Sequence, residues 1–224
     1  DATLASLCRA LNAADQKGVD SCLLPKLNRP ETLMEASEDK GLAQRRLILA
    51  AEKTFGPDGG TLFEGDLPLA TVLQALIAFR RLQGETADIT GNTATITTEI
   101  PPAIIQSVPL EMQQLLLSWS GKPIYFELHD GAWLIDMDRS IRFVIKVQKR
   151  NDGPLVRLSD DVGIAFLEEQ AAAYDAVTQQ VERGQLAGLG SVRQALRAAQ
   201  DQMDARYGFV GIQNYSAPAI ASRP

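Results

Sequence analysis

The sequence predicts an α+β protein: N-terminal helices packed on one face of a curved antiparallel sheet (cone-like), followed by a C-terminal helical hairpin. Three observations carry the order of helices, antiparallel sheet and helical pair. Apolar residues recur at three- and four-residue steps from Ala2 to Leu82, the spacing of amphipathic helices. The period then drops to two in "GETADITGNTATITTEI" and again in "PIYFELHDGAWLIDMD", each with a two-residue turn at its centre. After "NDGP" the composition turns rich in Ala, Gln and Glu, and helical spacing returns. The division expected is an α+β domain over 1–150, a helical hairpin over 155–207 and an irregular tail over 208–224.

In "ATLASLCRALNAADQKG", Leu4, Leu7, Cys8 and Leu11 form one stripe, which predicts a helix over 2–17 ending at Gly18. "ASEDKGLAQRRLILAAEKTFG" repeats the pattern less cleanly through Leu42, Arg46, Leu49 and Lys53, and Gly56-Pro57 stops it. "LATVLQALIAFRRL" reads as a mostly buried third helix, with Arg80 and Arg81 suited to the negative end of its dipole.

The first hairpin turns at Gly91-Asn92, which opposes Ile89 to Ala94 and Ala87 to Ile96 on one face, and Thr86, Asp88 and Thr90 to Thr97, Thr95 and Thr93 on the other. The second turns at Asp130-Gly131. It opposes His129 to Ala132, Leu128 to Trp133, Glu127 to Leu134, Phe126 to Ile135, Tyr125 to Asp136 and Ile124 to Met137. Each hairpin thus has one apolar and one polar face, as a sheet covered by helices on one side requires.

Between the hairpins, Pro109 is placed to open a short helix carrying Met112, Leu115, Leu116 and Trp119, either a lid over a cleft or a plug for the end of the core. "SIRFVIKVQKR" alternates Ile141, Phe143, Ile145 and Val147 and reads as a strand, with a helix as the alternative. Beyond it, Val162, Phe166, Ala173, Val177 and Val181 line one helix, and Leu189, Val192, Leu196, Ala199 and Met203 a second. "GFVGIQNYSAPAIASRP" has no period and is expected extended or disordered. Its "NYS" at Asn214 is a common accidental match to a glycosylation acceptor.

Composition narrows the function classes. The 224 residues, 45% hydrophobic, suffice for a good core without metals or staples. A net charge of −6, from 22 basic and 28 acidic residues, lacks the basic stripe that nucleic acid demands. The apolar run Leu69 to Phe79 contains Gln74 and is too short to span a bilayer. A single histidine argues against most transition-metal and Ser-His-Asp schemes, and no cofactor motif is present. "FGPDGG" and "GQLAGLG" lack the strand-to-helix setting of a phosphate loop and read as turns. The start at Asp1 fits either a mature form or a trimmed chain, and the expected location is periplasmic or secreted.

Cys8 and Cys22, the two cysteines of the chain, flank the turn read at Gly18. A disulfide is the sharper reading and two buried thiols the bland one.

"LCRALNAADQKGVDSCLL" and "FELHDGAWLIDMD" resemble the opening helices and the final hairpin of the nuclear transport factor 2-like superfamily, over about residues 1–140. The resemblance implies a cystatin-like cone, with SnoaL-like cyclases and steroid isomerases among the relatives. Enzymes of that superfamily carry an acidic base or an Asp-His pair inside the cone. Here the lone His129 falls beside a turn, so no catalytic residue is carried over. The segments 101–123 and beyond 154 exceed the minimal domain.

Ligand-binding candidates are Tyr125, Glu127, Asp136 and Asp138, which share the polar face of the second hairpin. A carboxylate and a phenol facing a cavity are equipped to abstract a proton beside a carbonyl, whereas on an open strand face they are solvated groups sharing a hydrogen bond. Trp119 and Trp133 read as core. Three functions follow: an exported module binding a small apolar ligand or a protein, an isomerase- or cyclase-like enzyme using Asp136 and Tyr125, and an assembly component, such as a homodimer, built through the helical hairpin.

Overall fold

A computed structural model describes residues 2–25, 32–63, 74, 77, 78, 80, 87–107, 113, 116, 117, 120–149, 153–209 and 211–218, with backbone alone at 138, 141–144 and 211–218. The architecture is α+β: N-terminal helices, a four-stranded antiparallel sheet and later helices that include a C-terminal pair. The chain divides into two compact units, one of residues 1–29, 65–142 and 216–224, the other of 30–64 and 143–215.

In the first unit, α1 (Ala2–Ala13) buries Leu4, Leu7, Cys8 and Ala10. It stops earlier than predicted. Ala14 takes a φ of 53°, and Asp15 opens a separate helix, α2 (Gln16–Asp20), by accepting a hydrogen bond from the Gly18 amide at 3.1 Å. Gly18 therefore lies inside a helix. A Cβ there would come within 2.9 Å of the Ala10 Cβ, so the glycine lets α1 and α2 approach rather than ending α1.

The sheet is β1 (Asp88–Thr90), β2 (Thr93–Thr97), β3 (Pro123–His129) and β4 (Ala132–Asp136), hydrogen-bonded in that order. Both predicted turns form. Asp130 and Gly131 have φ of 48° and 81°, the pattern of a type I′ turn, and Gly91 has a φ of 59°. The registers match the predicted ones at Ile89↔Ala94, and at each pair from Tyr125↔Asp136 to His129↔Ala132. The Ile124↔Met137 pair does not form, because the chain leaves the ladder after Asp136 and coils into a one-turn helix, α4 (Met137–Ser140). Ile124 pairs with Ile96 instead, on the other side of β3.

The apolar row Ile89–Ala94–Phe126–Ile135 crosses all four strands, and its last three members are buried. The Thr3 hydroxyl ties α1 to β4 by donating to the Trp133 carbonyl at 2.8 Å. The outer edge of β4 is closed by residues 22–24: the Leu24 amide donates to the Ile135 carbonyl, and the Ile135 amide to the Cys22 carbonyl. Pro102–Ser107 forms a short helix that the pattern did not predict. The predicted helices at 69–82 and after Pro109 fall mostly outside the described residues, though Ile77, Arg80 and Leu116 within them are buried.

The second unit is built on α3 (Leu33–Phe55). Thr32 and Glu35 form a reciprocal capping box at its start, and Gly56 ends it with a φ of 87°. Its buried face runs through Leu33, Ala36, Ala43, Leu47 and Ala51, not through the predicted Arg46 and Lys53. Those long cations leave the buried stripe to smaller residues, which let helices approach. A 3-10 helix (Pro57–Phe63) follows.

The helical pair is α5 (Asp160–Glu182) and α6 (Leu189–Tyr207). It does not stand by itself, since Leu47 and Ala50 of α3 share a core cluster with Val177 and Val181 of α5 and Val192 of α6. A second cluster joins Leu33 and Ala36 to Ile145, Val147, Phe166, Leu167, Met203 and Phe209. Residues 141–148 are strand β5, as the alternation predicts, paired with β6 (Leu155–Arg157) at Lys146↔Arg157, Val147↔Val156 and Gln148↔Leu155. The tail carries β7 (Gly211–Pro218) on the other side of β5.

Candidate functional site

The sheet registers place three of the four candidate ligand-binding residues on one face in two rows. Asp88, Thr95, Tyr125 and Asp136 form one row, and Thr90, Thr93, Glu127 and Leu134 the next. Alternation puts this face opposite the buried row of Ala94, Phe126 and Ile135. Its members are partly or fully exposed. Asp138 belongs to α4, and its side chain lies outside the described residues.

At the end of β4 the chain organises the first row. Ser140, buried at the last position of α4, donates its hydroxyl proton to the Asp136 carbonyl at 2.5 Å and accepts from the Tyr125 amide at 2.9 Å. Asp136 accepts from the Arg139 amide at 3.0 Å through Oδ1. That bond caps the one-turn helix and uses one carboxylate oxygen. The turn then carries the Arg139 guanidinium over the Tyr125 ring, with the guanidinium carbon 4.0 Å from the ring centroid. Such a cation–π contact on an exposed arginine is worth about 0.5–1 kcal/mol. Beyond the second row, His129, opposite Ala132, has its Nε2 3.3 Å from Glu127 Oε1, both side chains nearly half exposed.

Arg139 and Ser140 are the residues that sequence reasoning passed over. A signal exists in "DMDRS", where an aspartate stands three residues before an arginine at a strand end, the spacing of a carboxylate cap. That the arginine folds back over the tyrosine is a matter of three dimensions. The resulting face offers hydroxyls, carboxylates and a fixed guanidinium, which suits hydrogen bonding to a polar group on a ligand or partner.

Cys8 and Cys22 are both buried, and no disulfide joins them, so the bland reading holds. They serve as small apolar core residues. Burial pushes the Cys8 thiol up to about 11, which keeps it protonated and unreactive at neutral pH. Cys22 has the Ser21 hydroxyl 3.9 Å from its sulfur.

Among the described residues, no group of three or more His, Cys, Asp or Glu side chains is placed to hold a metal ion, and no helix is long and apolar enough to cross a membrane. No protein-family model, curated protein or solved structure matches the chain.

Proposed function

We propose that this chain is an exported binding module of the nuclear transport factor 2-like type, which engages a small ligand or a protein partner through the Tyr125–Asp136 face and performs no chemistry on it. One observation supports the reading above the others. The two groups an enzyme would use are both held in place by the one-turn helix: one Asp136 carboxylate oxygen accepts from the Arg139 amide, and the face of the Tyr125 ring lies under the Arg139 guanidinium. General acid–base work calls for a group held against substrate with its protons free to move, whereas recognition calls for fixed donors and acceptors. Thr93, Thr95, Glu127 and Arg139 extend the same polar surface.

Titration with small hydrophobic acids, carbonyl compounds and candidate protein partners, followed by amide NMR shifts, tests this. The expected result is a set of shifts confined to Tyr125, Glu127, Asp136 and Asp138, with no product formed. Replacing Glu127 by Gln removes one charge-assisted contact, so affinity is expected to fall by roughly ten- to a hundredfold. Turnover abolished by Asp136→Asn or Tyr125→Phe would overturn the module in favour of an isomerase- or cyclase-like enzyme. Shifts confined to α5 and α6 would move the function to assembly through the helical pair. Fractionation of the native cells, with the protein retained in the cytoplasm, would remove export from the reading.

A further inference from the structure

We draw no further inference here: the strongest candidate, the edge strand β1 of the four-stranded sheet, where Ile89 stands 59% exposed at the end of an otherwise buried apolar row, carries nothing because nothing in the structure shows what covers it.

Discussion

In the first unit the buried row of Ala94, Phe126 and Ile135 is held by strands that follow one another closely in the chain, each brought onto its neighbour by a short turn or by the segment between the hairpins. In the second, α3 meets α5 across more of the sequence, as the Arg46–Asp175 pair, 129 residues apart, makes plain. Neighbouring strands pay little loop-closure entropy to meet; distant helices must recover a larger cost through the quality of their packing. The first unit should therefore be sensitive where a turn or a cap fixes register, and the second where side-chain volume fixes the helix approach.

The largest effect is expected from removing the distant partner altogether. A chain ending at Gly153 strips α5 and α6 from α3 and uncovers Leu33, Ala36, Leu47 and Ala50. It is expected to aggregate or to bind a hydrophobic dye at neutral pH, and a soluble product with the full chain's unfolding midpoint would show that the helical pair is an appendage. A single cut into the same core is Phe166→Ala. Phe166 is fully buried and meets Tyr207 and Phe209 edge-on at 5.4 and 5.6 Å, so the loss should be about 3–5 kcal/mol by denaturant unfolding.

Volume added rather than removed sharpens the contrast. A Cβ on Gly59 would stand 2.6 Å from the Ala51 carbonyl carbon and 2.8 Å from the Glu52 Cα, both backbone atoms that cannot swing aside. On Gly163 the closest atom is the Leu33 Cδ2, the tip of a movable side chain, at 2.5 Å. Overpacking costs about 1–3 kcal/mol, and Gly59→Ala should fall at the upper end with Gly163→Ala below it. The reverse order would mean that the 3-10 segment yields more readily than the α3–α5 contact.

Ser140→Ala is the matching test in the first unit. It leaves the Tyr125 amide without the hydroxyl oxygen that accepts from it and the Asp136 carbonyl without its donor, at a buried position. The expected cost is about 1–3 kcal/mol, with the NMR shifts of Arg139 and Tyr125 moving together as the turn loosens. A stability change without movement at Arg139 would separate the cap from the cation–π contact.

The same contrast decides what was legible in the sequence. Asp130-Gly131 and Gly91-Asn92 fix their own registers, so the cross-strand pairs and the Tyr125–Asp136 row could be read from the letters. The α3 face could be read only in part: Leu42 is buried as predicted, but partners that bury Ala36 and Leu47 lie beyond residue 160. Thr32-Leu33-Met34-Glu35 was a readable capping box that the apolar pattern overshadowed. Ala14 with positive φ left no mark, and the helix end was assigned to Gly18, whose role is close packing. Three residues are too few for alternation to reveal β6.

Alkaline pH should touch both units through different groups. Burial lifts Cys8 from an ordinary 9.0 to about 11, with the Arg9 charge opposing and Cys22 adding to the rise. The folded chain then keeps a proton that the unfolded chain has lost, so this contribution is whole below pH 9 and disappears as pH rises through about 11. In the second unit Tyr207 is raised above 10.0 by burial, by the Glu169 charge and by a hydrogen bond to Glu169, which makes it lose stability in the same direction. Urea midpoints across that range should fall less steeply in Cys8→Ala than in the parent. Equal slopes would assign the alkaline loss to the second unit, and fewer than two reactive thiols in the denatured, unreduced chain would contradict the unbonded pair.

The smallest effects belong to the surface, where the two units hold an arginine in different ways. Arg46 donates through Nε and Nη2 to the two carboxylate oxygens of Asp175, each at 2.9 Å, between side chains 38% and 42% exposed. Its geometry is bidentate, yet solvent screens it, so a double-mutant cycle with Arg46→Ala and Asp175→Ala should give a coupling of about 0.5–1 kcal/mol. Arg139 sits over an uncharged ring, and a cycle with Tyr125→Leu should give a coupling of about the same size. Salt distinguishes them. The carboxylate pair should lose most of its coupling when ionic strength is raised to about 1 M, where the Debye length is ~3 Å, while the ring contact, having no second net charge to screen, should keep more of its own. If the two couplings fell together, Arg139 would be acting on the carboxylates of the polar face rather than on Tyr125, and the binding face would have to be redrawn around Asp136 and Glu127.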